Sequence, residues 1–133
     1  MKKHGQLPMG SICWAEYHST DANKSKSFYT DLLNWKIREV KSGDYAYYFF
    51  QANDQDICGM FNVGSDWSNA PYWNPYIAVE DVDAVASKVE QLGGKLRIPP
   101  MDVPEGGRIA CIEDPSGGVF SIFSPGPSAI FPS

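Results

Sequence analysis

The sequence contains no run of apolar residues long enough to cross a membrane as a helix, which takes about 20 consecutive residues. It is short of cations, with 11 Lys and Arg against 16 Asp and Glu and a net charge of −5. A nucleic-acid partner is therefore not expected, because phosphates are bound by clustered basic side chains. Its cysteines are few and scattered, Cys13, Cys58 and Cys111, with no CxxC pair. That excludes a disulfide framework and a zinc ribbon, and it predicts reduced thiols in a cytoplasmic protein. The opening stretch, Met1–Pro8, is too polar to read as a secretory leader.

What is present suits one folded domain. The chain has 133 residues, 43% of them apolar and 20% charged, enough to bury a core without covalent staples. Aromatic residues make up 14%, so a core or a pocket must be rich in rings.

The order of elements is doubled. Ser11–His18 reads as a strand, Ser19-Thr20-Asp21 as a helix cap, and Ala22, Ser25, Phe28, Tyr29, Leu32 and Leu33 as the inward stripe of an amphipathic helix stopped by Asn34. Three strands are predicted at Trp35–Val40, Tyr45–Ala52 and Ile57–Val63. After a polar stretch at 64–71, the order starts again with a strand at Trp73–Val79. A helix follows with Val82, Val85, Ala86, Val89 and Leu92 inward, ended by Gly93-Gly94, and then strands at Lys95–Ile98, Arg108–Glu113 and Val119–Ser124. A shift of 60 in numbering places Asp21 on Asp81, Ala22 on Val82 and Leu32 on Leu92, which is the mark of an internal repeat. The expected fold class is α+β: one module at about 10–63, a linker at 64–71, a second module at about 72–125 and an irregular tail at 126–133.

Alternation within the strands assigns faces. In the first strand Cys13, Ala15 and Tyr17 form one set and Trp14, Glu16 and His18 the other. The second set carries the charge, so it should turn away from the helix. In the fifth strand the matching set is Asn74, Tyr76 and Ala78, with Ile77 and Val79 under the second helix. The two uncovered faces are expected to curl around a small-molecule cleft.

The chain resembles the vicinal oxygen chelate superfamily, which includes glyoxalase I, extradiol dioxygenases, methylmalonyl-CoA epimerase and bleomycin-resistance proteins. The resemblance rests on Ser27-Phe28-Tyr29-Thr30-Asp31-Leu32-Leu33-Asn34-Trp35, on Val79-Glu80-Asp81-Val82-Asp83 with Leu92-Gly93-Gly94, and on Ile112–Gly118 around Asp114-Pro115. It implies two tandem βαβββ modules. Members with a catalytic metal take ligands from four strand positions, usually His or Gln, then Glu, His and Glu. Those positions fall here on Trp14, near Gly59, on Asn74 and on Ser121, none a good ligand for a divalent ion. The metal and any other cofactor are therefore expected to be absent. Glu16 with His18, two apart on one strand face, makes at most two ligands of another kind of site.

Glu16 is the candidate general base; the alternative is that it pairs with Arg108 or a backbone donor and only holds structure. Trp14 and Phe123 are candidates for a stacking wall, or else plain core. His18, Asn74, Tyr76, Arg108 and Ser121 complete the candidate ligand-binding set. The segment Pro99–Gly107 reads as a lid or as a hairpin connection, and the ring-rich Tyr45–Phe50 run suggests a homodimer surface. Two functions follow from the resemblance. One is metal-free binding of a planar or amphipathic compound. The other is a lyase or isomerase acting on an activated carbonyl compound with Glu16 as base.

Overall fold

The computed structural model describes residues 8–43, 45–63, 70–103 and 106–125. Its elements run β1 (Ile12–Ser19), α1 (Ala22–Leu33), β2 (Lys36–Ser42), β3 (Tyr45–Ala52), β4 (Gln55–Asn62), β5 (Tyr72–Ala78), α2 (Val82–Ala86), β6 (Lys95–Asp102), β7 (Arg108–Glu113) and β8 (Val119–Ser124). The doubled strand–helix–three-strand order read from the sequence is present. The expected linker lies, at 64–69, outside the described residues, as does the tail at 126–133.

Two compact units divide the chain, one holding residues 14–74 and the other residues 8–13 with 75–125 of those described. In the first unit the strand order is β2-β3-β4-β1, antiparallel except where β1 lies parallel to β4. In the second it is β5-β8-β7-β6, with β5 parallel to β8. The parallel pair in each unit is the return made possible by the helix crossover.

Helix α1 starts where the sequence caps it, since the Asp21 side chain accepts the Lys24 N–H at 3.2 Å. It stops at Asn34, which takes the left-handed conformation (φ 58°) and returns its N–H to the Thr30 carbonyl. Its buried stripe is narrower than expected. Ala22 is buried and Tyr29 packs on the cluster of Phe50, Cys58 and Met60, whereas Phe28 and Leu32 are 58% and 61% exposed and Leu33 is also exposed. At 100° per residue, Phe28 and Leu32 stand about 80–120° around the helix from Ala22, outside the arc that faces the sheet.

Asp81 caps α2 in the same way, accepting the Ala84 N–H at 3.1 Å. The predicted second helix is shorter than its periodicity suggested: α2 ends at Ala86 and a 3-10 turn covers Glu90–Leu92. Val82, Ala86 and Val89 are buried as expected, but the tighter winding swings Leu92 into solvent. Strand β6 runs on to Asp102 and pairs there with Arg108. The first four residues of the Pro99–Gly107 segment are therefore strand rather than lid.

Candidate functional site

The alternation predicted for β1 holds. Ala15 and Tyr17 join the cluster beneath α1, and Trp14, Glu16 and His18 occupy the other face. All three are buried, Glu16 being 6% exposed and His18 2%. In the first unit this is a packed face rather than an open one.

Register explains how the face is built. Across the strands of the first unit, Arg38 pairs with Phe49, Phe49 with Gly59 and Gly59 with Glu16. Every member of this row has a side chain except Gly59, and the gap is filled by Tyr47. A Cβ built on Gly59 would fall inside the Tyr47 phenol, overlapping its hydroxyl and lying only 2.7 Å from Cε2. The Tyr47 hydroxyl accepts the Trp14 indole N–H at 3.1 Å. Its ring meets Phe49 edge-on at 4.9 Å and lies nearly parallel to Phe61 at 6.5 Å. Trp14 in turn meets the edge of Phe49 at 6.1 Å, and the Arg38 guanidinium covers the Phe49 ring at 4.1 Å.

Beside the rings runs a polar chain. Glu16 Oε1 is 2.7 Å from His18 Nε2, and His18 Nδ1 is 2.9 Å from the Tyr72 hydroxyl. Asn74 Nδ2 stands 3.5 Å from the same Nε2, at the outer limit of a hydrogen bond. Phe61 and Tyr72 each place a ring centroid 4.7 Å from the imidazole. A carboxylate held this way is screened from bulk water, so a polar group brought to it meets a strong field.

Phe61 also lines a cavity of about 420 Å³ at the carboxyl ends of β1 and β4, with Thr20, Asn23, Tyr48 and Asn62 on its walls. The cavity opens on the α1 side of the sheet, where Ala22 and Tyr48 belong to the cluster beneath the helix, whereas His18 and Tyr47 meet the Phe61 ring on the opposite face.

Of the residues singled out in the sequence, Trp14, Glu16, His18 and Asn74 fall together in the first unit. Tyr76, Ser121 and Phe123 lie in the second, all buried, where Tyr76 pairs with Ser121 and Ala78 with Phe123. They share the face opposite the Val82, Ala110, Ile112 and Ile122 core. Arg108 is not with them. It lies on the α2 side, donating to Asp83 at 2.7 and 3.0 Å and to Asp102 at 3.0 Å. These bonds raise the guanidinium pKa and lower that of Asp83. The partner of Glu16 is His18, not Arg108. Tyr47, Phe61 and Tyr72 join this candidate site from outside the set that alternation in β1 and β5 picks out. Tyr47 had a signal in the glycine across the ladder from its neighbour Phe49. For Tyr72 no local pattern marks its pairing with His18.

Residues 12–122 match the profile of the Glyoxalase/Bleomycin resistance protein/Dioxygenase superfamily, and the chain belongs to that superfamily. It is 32% identical over 127 residues to CFP32 of Mycobacterium tuberculosis, a protein provisionally named a glyoxylase, covering 92% of this chain and 49% of that one. It is 30% identical over 131 residues to the anthracycline biosynthesis protein DnrV of Streptomyces peucetius, covering 88% and 48%. The chain thus spans about half the length of these curated relatives. Among solved structures, methylmalonyl-CoA epimerase from M. tuberculosis superposes with a TM-score of 0.60 at 14% identity, covering 93% of this chain and 95% of that one. The Mn(II)-bound glyoxalase of Novosphingobium aromaticivorans gives 0.60 at 22% identity, covering 92% and 40%. These last two likenesses concern the fold.

The residues present do not fit a superfamily-type metal. Trp14 offers only an N–H donor, and position 59 has no side chain and lies under the Tyr47 ring. Asn74 and Ser121 are neutral, and among the described residues no three His, Cys, Asp or Glu gather as a ligand group.

Proposed function

We propose that this chain binds a planar or amphipathic small molecule on the ring-lined face of its first unit, without the metal used by other members of the superfamily. The observation that carries the reading is the group of four rings, Trp14, Tyr47, Phe49 and Phe61, packed beside the buried Glu16–His18 pair. Aromatic pairs contribute about 0.5–1.5 kcal/mol beyond the area they bury, so a flat ligand gains from each ring it replaces or covers. The polar chain then orients it. The relative named for anthracycline biosynthesis supports a fused-ring ligand. Tyr76, Ser121 and Phe123 on the corresponding face of the second unit are included as ligand-binding residues.

Thermal-shift and tryptophan-fluorescence titration with hydroxyanthraquinones tests this. A saturable rise in Tm that Trp14→Ala abolishes is expected. If no compound of the class shifts Tm, the reading fails.

One observation favours a second reading. The 2.7 Å contact from His18 to Glu16 is the arrangement of a held general base. On an activated carbonyl compound the Glu16 carboxylate would take the α-proton while the C–H electron pair passes into the substrate's own carbonyl, an isomerase or lyase step. Loss of deuterium exchange at that carbon in Glu16→Gln is the expected result; equal exchange in both proteins removes Glu16 from the chemistry.

We also place the protein in the cytoplasm as a homodimer. No described helix is long and apolar enough to cross a membrane. Within the Tyr45–Phe50 run, Tyr47, Phe49 and Phe50 are buried in the unit. Support now comes from the exposed Phe28, Leu32 and Leu33, and sedimentation equilibrium decides it: a monomer at micromolar concentration ends the proposal.

A further inference from the structure

The Tyr47 side chain is held as a bound ligand would be held. Backbone forms its floor, because Gly59 leaves a bay that no other residue could leave. A ring stands at its edge, a second ring lies nearly parallel to it, and the Trp14 indole N–H is directed at its oxygen. Trp14 Nε1 is a donor with no acceptor capacity, and it is buried with its residue 8% exposed. A donor so placed is costly to leave unsatisfied, so whatever fills the bay must present an oxygen at the rim of a flat ring. Aliphatic groups, and rings without such an oxygen, do not meet that demand.

We infer that the space over Gly59 is a seat for a hydroxyaryl ring, that Tyr47 is its resident occupant, and that a ligand of this class enters by displacing the Tyr47 phenol and taking over the Trp14 hydrogen bond. This rests on the binding reading for the wild-type protein and narrows it to a chemical class. Phe61, nearly parallel to the Tyr47 ring, is the wall against which the incoming ring stacks. Glu16 pairs with Gly59 across the ladder, so a second polar group on the ligand would lie towards that carboxylate. Tyr47 then determines specificity: incoming rings compete with an attached phenol whose effective concentration is high.

The experiment is chemical replacement, read on the Trp14 indole N–H resonance. Tyr47→Ala removes the occupant, and p-cresol is the same ring set free. We expect p-cresol to raise the Tm of Tyr47→Ala by several degrees, toluene by less than half as much, and p-cresol to return the indole resonance towards its wild-type position. Tyr47→Phe, which keeps the ring and folds with it, should move the indole resonance and little else. If p-cresol and toluene act alike, or the resonance ignores p-cresol, the seat is not selective for a hydroxyl and the inference is wrong. In the wild-type protein a hydroxyanthraquinone should shift the resonances of both Trp14 and the Tyr47 ring. Binding that moves neither overturns the seat. A wild type that binds no aryl compound, beside a Tyr47→Ala that p-cresol restores, supports the seat and removes the binding reading instead.

Discussion

The two units repeat one order of elements and fill it with different materials. Beneath α2 the second unit packs Val82, Val89, Ala110, Ile112 and Ile122, with Phe120 the one ring against them among the described residues. Beneath α1 the first unit packs Phe50, Cys58 and Met60 against Tyr17, Tyr29 and Trp35. The faces turned from the helices differ further. There the first unit buries Glu16, His18 and Asn74, and the second buries Ser121 as its polar member among the described residues. Buried polar groups must each find partners, and rings leave gaps that branched side chains close better. A doubled frame can place most of that burden in one copy and lighten it in the other, where Ser121 is the buried polar member among the described residues.

The strongest way to break this contrast is to open a cavity in each unit. Phe49→Ala removes a ring that touches Trp14 and Tyr47; Ile122→Ala empties part of the aliphatic core. Losses of about 3–5 and 2–5 kcal/mol are expected in urea unfolding. At low urea, where both variants are folded, only Phe49→Ala should weaken hydroxyanthraquinone binding. Equal weakening by Ile122→Ala would show that binding follows core stability rather than the ring-lined face.

Most of the scaffold was legible from sequence because each piece rests on local chemistry. Asp21 and Asp81 cap both helices through their own side chains, Asn34 and Gly93 end the following helical turns in left-handed conformations, and alternation in β1 sorted Trp14, Glu16 and His18 from Ala15 and Tyr17. What escaped depends on distant pairing. That Tyr47 leans over Gly59, or that Tyr72 meets His18 across 54 residues, follows from strand register, which no local window contains. The buried helix stripes are narrower than periodicity suggests for a related reason. Periodicity counts Phe28, Leu32 and Leu92 as apolar, but only the arc that reaches the sheet buries them. Arg108 was drawn towards the site by its charge, and Asp83 on α2 claims it instead.

A smaller effect sharpens the contrast within the first unit. Gly59→Ala forces the Tyr47 ring off its floor, and overpacking of this kind costs about 1–3 kcal/mol. In a Tyr47→Ala background the three atoms nearest the new methyl are gone, so the penalty should largely vanish. The double-mutant cycle should return a coupling of about 1–3 kcal/mol. Additive effects would show that the glycine is needed for the strand alone. The equivalent cycle has no counterpart in the second unit, where the position aligned with a metal ligand in β8 is Ser121, paired in register with Tyr76 and Cys111.

The smallest expected effect concerns acid. The carboxylates whose pKa values are lowered, Asp83 and Asp114, both lie in the second unit. Asp114 is lowered first by the Ser116 hydroxyl and then by the backbone N–H groups of Gly118 and Ser116; the three donors reach its Oδ1 at 2.8, 3.0 and 2.8 Å. A carboxyl lowered on folding binds its proton more readily in the unfolded chain. Its contribution is therefore complete above the unfolded pKa, near 3.8, and is lost as pH falls through the lower native value. Both groups are exposed to solvent, so the effect is small, on the order of a degree or two in Tm. Between pH 5 and pH 2 the wild-type Tm should fall more steeply than that of Asp114→Asn or Asp83→Asn. If the three curves run parallel, the acid response belongs elsewhere, and the ring-lined first unit becomes the place to look for it.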